Sequence, residues 1–258
     1  MELQFYHTVL VLAAAVNFLI AVVLVHNNVD YHNYDVYRRA RLLTALCYTI
    51  FAAGFLMHAH FEWRTSWPAA ASALSVSYFH AAAVLFGWSH TSLLRPDYLT
   101  QKVIFRDLAF FLVGIICYWT AVVNFSLFVF HFSLLIFFLH AAYIAATFYH
   151  TSFQVRHSLE QRSTDDNAPS WWTDEAKHTI LDFHRSFMVG AHLIILFGIG
   201  GIIVTAAFTK QVWPFTALLI MGIAVFIYIF YSLTEYGHVI EAATNATEDA
   251  VEKINIDT

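Results

Sequence analysis

Seven long apolar segments dominate the sequence, and they leave few folds open to the chain. They run approximately over residues 4–26, 42–61, 68–92, 106–124, 126–150, 186–208 and 212–234. A helix needs about 20 mostly apolar residues to cross the roughly 30 Å hydrocarbon core of a bilayer. Backbone polar groups in lipid must be hydrogen-bonded within a helix or a closed barrel, and these runs do not alternate as barrel strands do. The sequence therefore predicts an all-α polytopic membrane bundle of seven transmembrane helices.

The composition of the 258-residue chain agrees with this prediction. Apolar residues make up 59% of it and charged residues 12%, whereas a soluble domain carries about 25% charged residues. With 13 Lys and Arg facing 18 Asp and Glu, a basic nucleic-acid-binding surface is excluded. Cys47 and Cys117 both lie inside apolar segments, so a disulfide-stapled secreted fold is excluded too. The first segment is longer than the apolar region of a signal peptide and lacks a basic start, so we interpret it as a true first helix.

The basic residues predict how the bundle is oriented. With seven spans the two chain ends lie on opposite sides of the membrane, and only Arg64 and Lys210 fall on the side of the N-terminus. Because Lys and Arg concentrate in cytoplasmic loops, we expect the N-terminus outside and the C-terminus in the cytoplasm. The eleven basic residues on the predicted cytoplasmic side are Arg38, Arg39, Arg41, Arg95, Lys102, Arg106, Arg156, Arg162, Lys177, Arg185 and Lys253.

Tryptophan and proline positions fit the same arrangement. Tryptophans prefer the membrane–water interface, and they form two groups: for the outer face Trp63, Trp67 and Trp213, and for the inner face Trp88, Trp171 and Trp172. Pro68 and Pro214 each stand where a helix would begin, a position at which the missing N–H of proline has no cost.

Two segments on the predicted cytoplasmic side are distinctive. Between the fifth and sixth spans, Asp165 to Ser170 is rich in turn-forming residues, and Thr173-Asp174-Glu175 then supplies an N-cap hydroxyl and two acids. This pattern predicts a helix start, and we expect that helix to run into the sixth span. After the last span the sequence predicts a short acidic helix or a frayed stub. The predicted organisation is a transmembrane domain over residues 1–235 and a cytoplasmic tail over residues 236–258.

Residue types missing from the spans argue against several functions. No Lys lies within a span, so a retinal Schiff base has no attachment point. The acids Glu62, Asp107, Asp182 and Glu235 all fall near span ends, whereas proton pumps and ion-coupled transporters use buried carboxylates. The sequence contains no zinc-hydrolase motif and no nucleophile elbow. We therefore assign no catalytic residue, and an enzyme is unsupported.

Histidine is unusually frequent, with 15 in the chain, and four of them lie deep in the predicted spans: His80, His131, His140 and His192. An imidazole in the membrane interior needs a polar partner, so these rings are expected to face the inside of the bundle. His131 and His140 are nine residues apart, about 180° around a helix, so they cannot point at one site. His80, His140 and His192 converge if the third, fifth and sixth spans are neighbours.

Three interpretations of these histidines are open. They form hydrogen bonds between helices; they line a polar ligand pocket; or they bind a transition metal or haem b, since imidazole suits iron, copper and zinc. The candidate ligand-binding residues are His80, His140, His192, Tyr78, Asn17 and Tyr143. The candidate metal ligands are His80, His140, His192 and His131. Asn17, the only Asn deep in a span, is expected to bond across helices, and the glycines of the sixth span to permit close helix packing.

A short motif connects the chain with a known class of proteins. The stretch Tyr37-Arg38-Arg39-Ala40-Arg41-Leu42-Leu43, followed by a span with Tyr48, resembles the start of the second helix in certain bacterial membrane sensors. In that class a seven- or eight-helix membrane domain precedes an AraC-type helix-turn-helix or a histidine-kinase module. The resemblance implies a bacterial inner-membrane location and no catalytic residues. Because no output module follows the last span here, it implies a truncated sensory module or one that signals through a partner.

Three functions follow from these observations. The first is a receptor-like sensor whose bundle binds a small or lipophilic ligand and relays the change to a cytoplasmic partner or within a homo-oligomer. The short outer loops and the long inner segment 151–185 favour it. The second is a haem- or metal-binding membrane protein, and the third a structural or assembly subunit of a membrane complex. The first and third need no cofactor, and none of the three involves direct contact with nucleic acid.

Overall fold

A computed structural model describes the backbone of residues 1–26, 35–124, 126–162, 174–209 and 211–256, and the side chains of most of them. These residues form seven long helices and one single-turn helix. The helices are α1 (Glu2–His26), α2 (Asp35–Phe61), α3 (Trp63–Ser66), α4 (Pro68–Leu94), α5 (Gln101–Val123), α6 (Leu127–Arg162), α7 (Asp174–Ala207) and α8 (Trp213–Ile256).

The seven long helices correspond one to one to the seven predicted spans, and each is long and apolar enough to cross a membrane. Several continue beyond the apolar residues: α2 begins at Asp35, α5 at Gln101, and α6 extends to Arg162. Hydropathy marks where a helix would leave the hydrocarbon, whereas backbone hydrogen bonding and caps decide where it ends. At the start of α5 the Thr100 hydroxyl accepts the Val103 N–H, which is the N-cap that the hydropathy pattern missed.

The predicted helix starts are confirmed. Pro68 is the first residue of α4 and Pro214 the second of α8, while α7 begins at Asp174. The predicted turn at Asp165–Ser170 lies outside the described residues. The predicted tail is helical up to Ile256 and belongs to α8, so the backbone shows no boundary near residue 236.

Helix α4 occupies the centre of the bundle and packs against α2, α5, α6 and α7. It is 78% buried over its most apolar stretch, compared with 17% for α5 and 22% for α6. The sequence explains this position, because small residues, including Ala70, Ala73 and Gly87, alternate with large ones along its buried surface and let neighbouring helices approach. On one side α1 packs against α2 and α8, and α8 against α7; on the other, α5 packs against α6.

An aromatic cluster and two tyrosine hydrogen bonds connect α2 with α8. The Phe51 ring lies 4.8 Å from that of Phe226, and the Tyr48 hydroxyl donates to the Phe226 carbonyl at 2.7 Å. Three turns earlier on α2, the Tyr37 hydroxyl donates to the Leu233 carbonyl at 3.0 Å. The two tyrosines of the sensor-like motif therefore make interhelical hydrogen bonds, which are worth about 0.6 kcal/mol on average in a membrane bundle.

Candidate functional site

Two of the deep histidines meet inside the bundle. His80 of α4 and His140 of α6 are both buried, and Nε2 of His80 lies 2.9 Å from Nδ1 of His140. The two rings are nearly perpendicular, with centroids 5.2 Å apart. This contact exists because α6 packs directly on α4, which is the neighbour relation that the sequence analysis required.

A buried carboxylate lies at one end of the histidine pair. Asp107 of α5 is fully buried and accepts three hydrogen bonds. Oδ1 accepts from His140 Nε2 at 3.3 Å and from Arg106 Nε at 2.8 Å, and Oδ2 accepts from the Trp88 indole N–H at 2.7 Å. Three donors, one of them a guanidinium, are the partners that an ionised carboxylate needs when it leaves water.

A phenol lies at the other end of the pair. The Tyr118 hydroxyl of α5, fully buried, is 3.3 Å from Nδ1 of His80. Since the carboxylate of Asp107 only accepts, Nε2 of His140 donates to it, and a neutral His140 then accepts at Nδ1 from Nε2–H of His80. Nδ1 of His80 consequently accepts from Tyr118. All three hydrogen bonds point the same way, from Tyr118 to Asp107.

We call Tyr118, His80, His140 and Asp107 the polar chain. Gly114 of α5 makes room for it, because a Cβ there would lie 2.9 Å from Nδ1 of His80. Aromatic rings pack around the imidazoles: Phe111 and Phe137 lie 5.3 and 5.0 Å from His80, and Phe110 lies 5.1 Å from His140. The surroundings are therefore apolar, which strengthens each hydrogen bond and makes each unpaired polar atom costly.

The predicted convergence of three histidines is wrong for His192. That side chain is on the exposed face of α7, where its Nδ1 hydrogen-bonds the Met188 carbonyl one turn earlier at 2.6 Å. Its ring lies 5.2 Å from that of Tyr149. His131 is exposed on α6, which agrees with the expected half-turn offset from His140 but not with the expectation that its ring faces inward.

The other predicted site residues occupy separate places. Asn17 is fully buried on α1, and its amide donates to the Ala13 carbonyl of its own helix at 2.8 Å, so the expected bond across helices is wrong. Tyr143 is about half exposed on α6, and its hydroxyl accepts from Arg106 at 2.7 Å, at the edge of the polar chain. Tyr78 lies in a different polar cluster.

That second cluster surrounds Arg64 of α3. Its guanidinium is buried, donates to Ser75 Oγ at 3.0 Å and Ser72 Oγ at 3.2 Å, and stacks 3.6 Å from the centre of the Phe215 ring. The Tyr78 hydroxyl also reaches Ser75 Oγ, at 3.3 Å. Among the described residues no carboxylate pairs with Arg64, and burial lowers the pKa of its guanidinium. The sequence predicts Arg64 in an outer loop, and it does lie in the connection between α2 and α4, where its side chain also fixes α3 to α4.

The metal and haem interpretations do not fit the histidine pair. A metal–imidazole bond measures about 2 Å, so two nitrogens on opposite sides of a haem iron lie about 4 Å apart, and the nitrogens of His80 and His140 are 2.9 Å apart in a direct hydrogen bond. Within the described part of the chain no group of three His, Cys, Asp or Glu side chains is placed to hold a metal ion. His80 and His140 therefore have the geometry of hydrogen-bonding partners.

The sequence did not predict that Asp107 and Trp88 belong to the site. Their positions indicate the inner interface, yet both side chains are buried and hydrogen-bonded to each other. A signal was present in α5, where Asp107, Gly114 and Tyr118 follow at intervals of seven and four and so share one helical face. That face is the buried one.

A cavity of about 440 Å³ lies next to the polar chain, between α4, α6 and α7. Its walls are almost entirely apolar, and alanines and glycines such as Ala141, Ala145 and Gly198 leave the space open. Phe137 belongs to both features, because it lines the cavity and contacts the His80 ring. Pockets of about 300–1,000 Å³ with apolar walls are typical of small-molecule sites.

Two polar side chains line the cavity among the described residues, His90 and Tyr149. Nδ1 of His90 hydrogen-bonds the Phe86 carbonyl at 3.1 Å, which makes it the protonated nitrogen of a neutral ring and leaves Nε2 as an acceptor. Toward the predicted cytoplasmic side of the cavity, Ser152 of α6 lies 3.2 Å from His184 Nε2 of α7 and joins the two helices. The rim of the cavity on the side surface of the bundle includes the exposed side chains of Phe138 and Ile199.

A comparison with protein-family models finds no match to this sequence. Comparisons with curated proteins and with solved structures find no match either.

Proposed function

We propose that this chain is a multi-pass protein of the bacterial inner membrane that binds a lipophilic molecule inside its helix bundle, as a receptor-like sensor. The N-terminus lies outside and the C-terminus in the cytoplasm, where a signalling partner binds. The observation that carries the proposal is the apolar cavity between α4, α6 and α7. Its volume of about 440 Å³ is in the range of ligand sites.

The position of the cavity supports a ligand that arrives through the bilayer. Exposed rim residues, Phe138 and Ile199, lie on the helix surfaces that would face lipid. A hydrocarbon chain or an isoprenoid matches the walls, and a hydroxyl or carbonyl head group matches His90 and Tyr149. Charged ligands are disfavoured, because the lining offers no ion to neutralise them.

The cavity also suggests how binding changes the bundle. Helices α6 and α7 both pack on α4, and Ser152 of α6 contacts His184 of α7 toward the predicted cytoplasmic side of the cavity. A ligand that prefers one separation of α6 and α7 shifts the population toward that separation, by as much as its affinities for the two states differ. Because α7 begins at Asp174, well beyond its apolar stretch, this movement reaches the predicted cytoplasmic side.

Photocrosslinking tests the proposal. A long-chain alcohol that carries a photoreactive group and an affinity tag is incorporated into membranes with the protein, and the crosslinked residues are mapped by mass spectrometry. We expect crosslinks on the lining of α6 and α7. Gly198→Phe should abolish them, since a Cβ at Gly198 meets nothing within 4 Å and the ring would fill the cavity.

Leu196→Phe is the matched control, because it adds the same ring to the same helix at an exposed position outside the cavity. It should retain the crosslinks. Crosslinks distributed over all exposed helix faces, and unchanged by Gly198→Phe, would contradict the proposal.

A further inference from the structure

The polar chain lies in the middle of the bundle. The Tyr118 hydroxyl points back along α5 toward Gly114, because a Cβ on Gly114 would lie 3.4 Å from it, and Gly114 is seven residues, about 10 Å along the helix axis, from Asp107. His80 and His140 bridge this distance from α4 and α6, at 2.9 Å from each other and 3.3 Å from Tyr118 and Asp107 respectively. The four side chains thus form a continuous hydrogen-bonded path through the central part of the apolar interior.

Every member of this path can both release and take up a proton. Each imidazole accepts at Nδ1 and donates at Nε2, so the hydrogen bonds are aligned from Tyr118 to Asp107 without a break. The charged and titratable groups around them include Arg106 beside Asp107, Tyr143 and Tyr98 beside Arg106, and Cys117 beside Tyr118. Chains of Asp and His in membrane interiors are typical of proton relays, and interhelical bonding alone does not require a buried carboxylate.

We propose that the polar chain conducts protons through the centre of the bundle. The Tyr118 hydroxyl is fully buried, so the proposal requires a water molecule to enter between the helices beside it. A hydronium ion formed there protonates the hydroxyl oxygen as the hydroxyl passes its own proton to Nδ1 of His80. Nε2 of His80 then releases its proton to Nδ1 of His140, and Nε2 of His140 releases its proton to Asp107. Each O–H or N–H bond that breaks is matched by one that forms, so one proton moves from water at one end to the carboxyl group at the other.

Asp107 then releases the proton to water beside Arg106, whose side chain is 32% exposed. After each transfer both imidazoles carry their proton on Nδ1, so the rings must turn over before the next one. Gly114 packs closely against His80, since a Cβ there would lie 2.9 Å from the ring, so ring turnover requires α5 to move away from it. The path is therefore slow compared with an open pore.

Proton flux into liposomes tests this inference, which rests on the membrane-spanning arrangement proposed above. The full-length protein is reconstituted with a pH-sensitive dye inside, and valinomycin with a potassium gradient sets the membrane potential. We expect acidification or alkalinisation faster than in protein-free liposomes, and slower in D₂O than in H₂O. Tyr118→Phe, which removes one oxygen and keeps the ring, should reduce the rate to the protein-free level, as should His140→Gln.

His192→Gln is the control, because His192 is an exposed histidine outside the polar chain, and it should conduct like the wild type. A wild-type rate equal to that of protein-free liposomes, or a Tyr118→Phe rate equal to the wild-type rate, overturns the inference. Should His140→Gln fail to fold, the comparison with Tyr118→Phe decides the question. Maleimide labelling of single cysteines in loops at the two ends of the bundle, in the same liposomes, shows separately whether the protein spans the membrane. Photocrosslinking reports on ligand binding independently of proton flux.

Discussion

Gly114 determines how closely α5 approaches the histidine pair. A Cβ there would lie 2.9 Å from Cε1 and Nδ1 of His80 and 3.4 Å from the Tyr118 hydroxyl oxygen. We therefore expect Gly114→Ala to lower the free energy of unfolding by about 1–3 kcal/mol, as overpacking usually does, in denaturant unfolding of the purified protein. Gly198→Ala, with open space at its Cβ, should raise stability by about 0.5–1 kcal/mol. Equal losses in the two variants would show that Gly114 has no special packing role.

Arg64 carries a buried positive charge without a carboxylate partner in the described residues. Arg64→Ala should reduce the free energy of unfolding by about 2–4 kcal/mol, because it leaves a cavity between α3 and α4. Arg64→Met keeps most of the volume and removes the charge, so we expect a stability within about 1 kcal/mol of the wild type or above it. If thermal unfolding shows Arg64→Met to be as unstable as Arg64→Ala, the charge itself contributes to stability.

The association of α2 with α8 depends on hydrogen bonds from tyrosines to backbone carbonyls. Tyr48→Phe removes the 2.7 Å bond to Phe226 and leaves the aromatic packing, so it should cost about 0.6–1.7 kcal/mol, the range for interhelical bonds in membranes. Tyr231→Phe is the control, since its hydroxyl bonds Glu235 on the exposed face of α8 itself. A larger loss for Tyr231→Phe in the same unfolding assay would contradict this assignment.

The existence of the helices could be predicted, but their contacts could not. Hydropathy located all seven long helices, because the requirement for about 20 apolar residues is local in sequence. Which helices pack together depends on shape complementarity between surfaces that are all apolar, so hydropathy does not distinguish them. The sequence predicts that His80 and His140 meet only if their helices are neighbours, as α4 and α6 are, whereas the exposure of His192 depends on the rotation of α7, which its sequence does not reveal.

The whole molecule has two ends that the basic residues assign to opposite sides of the membrane. In a chain whose Cys47 and Cys117 are replaced by alanine, single cysteines at Thr65 and Asp97 test this assignment, since both positions are exposed. We expect a membrane-impermeant maleimide added to intact cells to label Thr65→Cys only, and to label Asp97→Cys after permeabilisation. The reverse pattern would invert the orientation, and labelling of both in intact cells would contradict a spanning arrangement of α4.

Composition and hydropathy alone establish an all-helical chain with seven candidate spans, because these properties depend on lengths and residue types along the chain. They also show that few polar residues lie within the candidate spans, where each needs a hydrogen-bond partner. The pairing of His80 with His140, the burial of Asp107 and the cavity beside them arise from packing. Four helices, α4 to α7, meet there, and residues that are distant in sequence provide one another's hydrogen bonds and the empty volume between them.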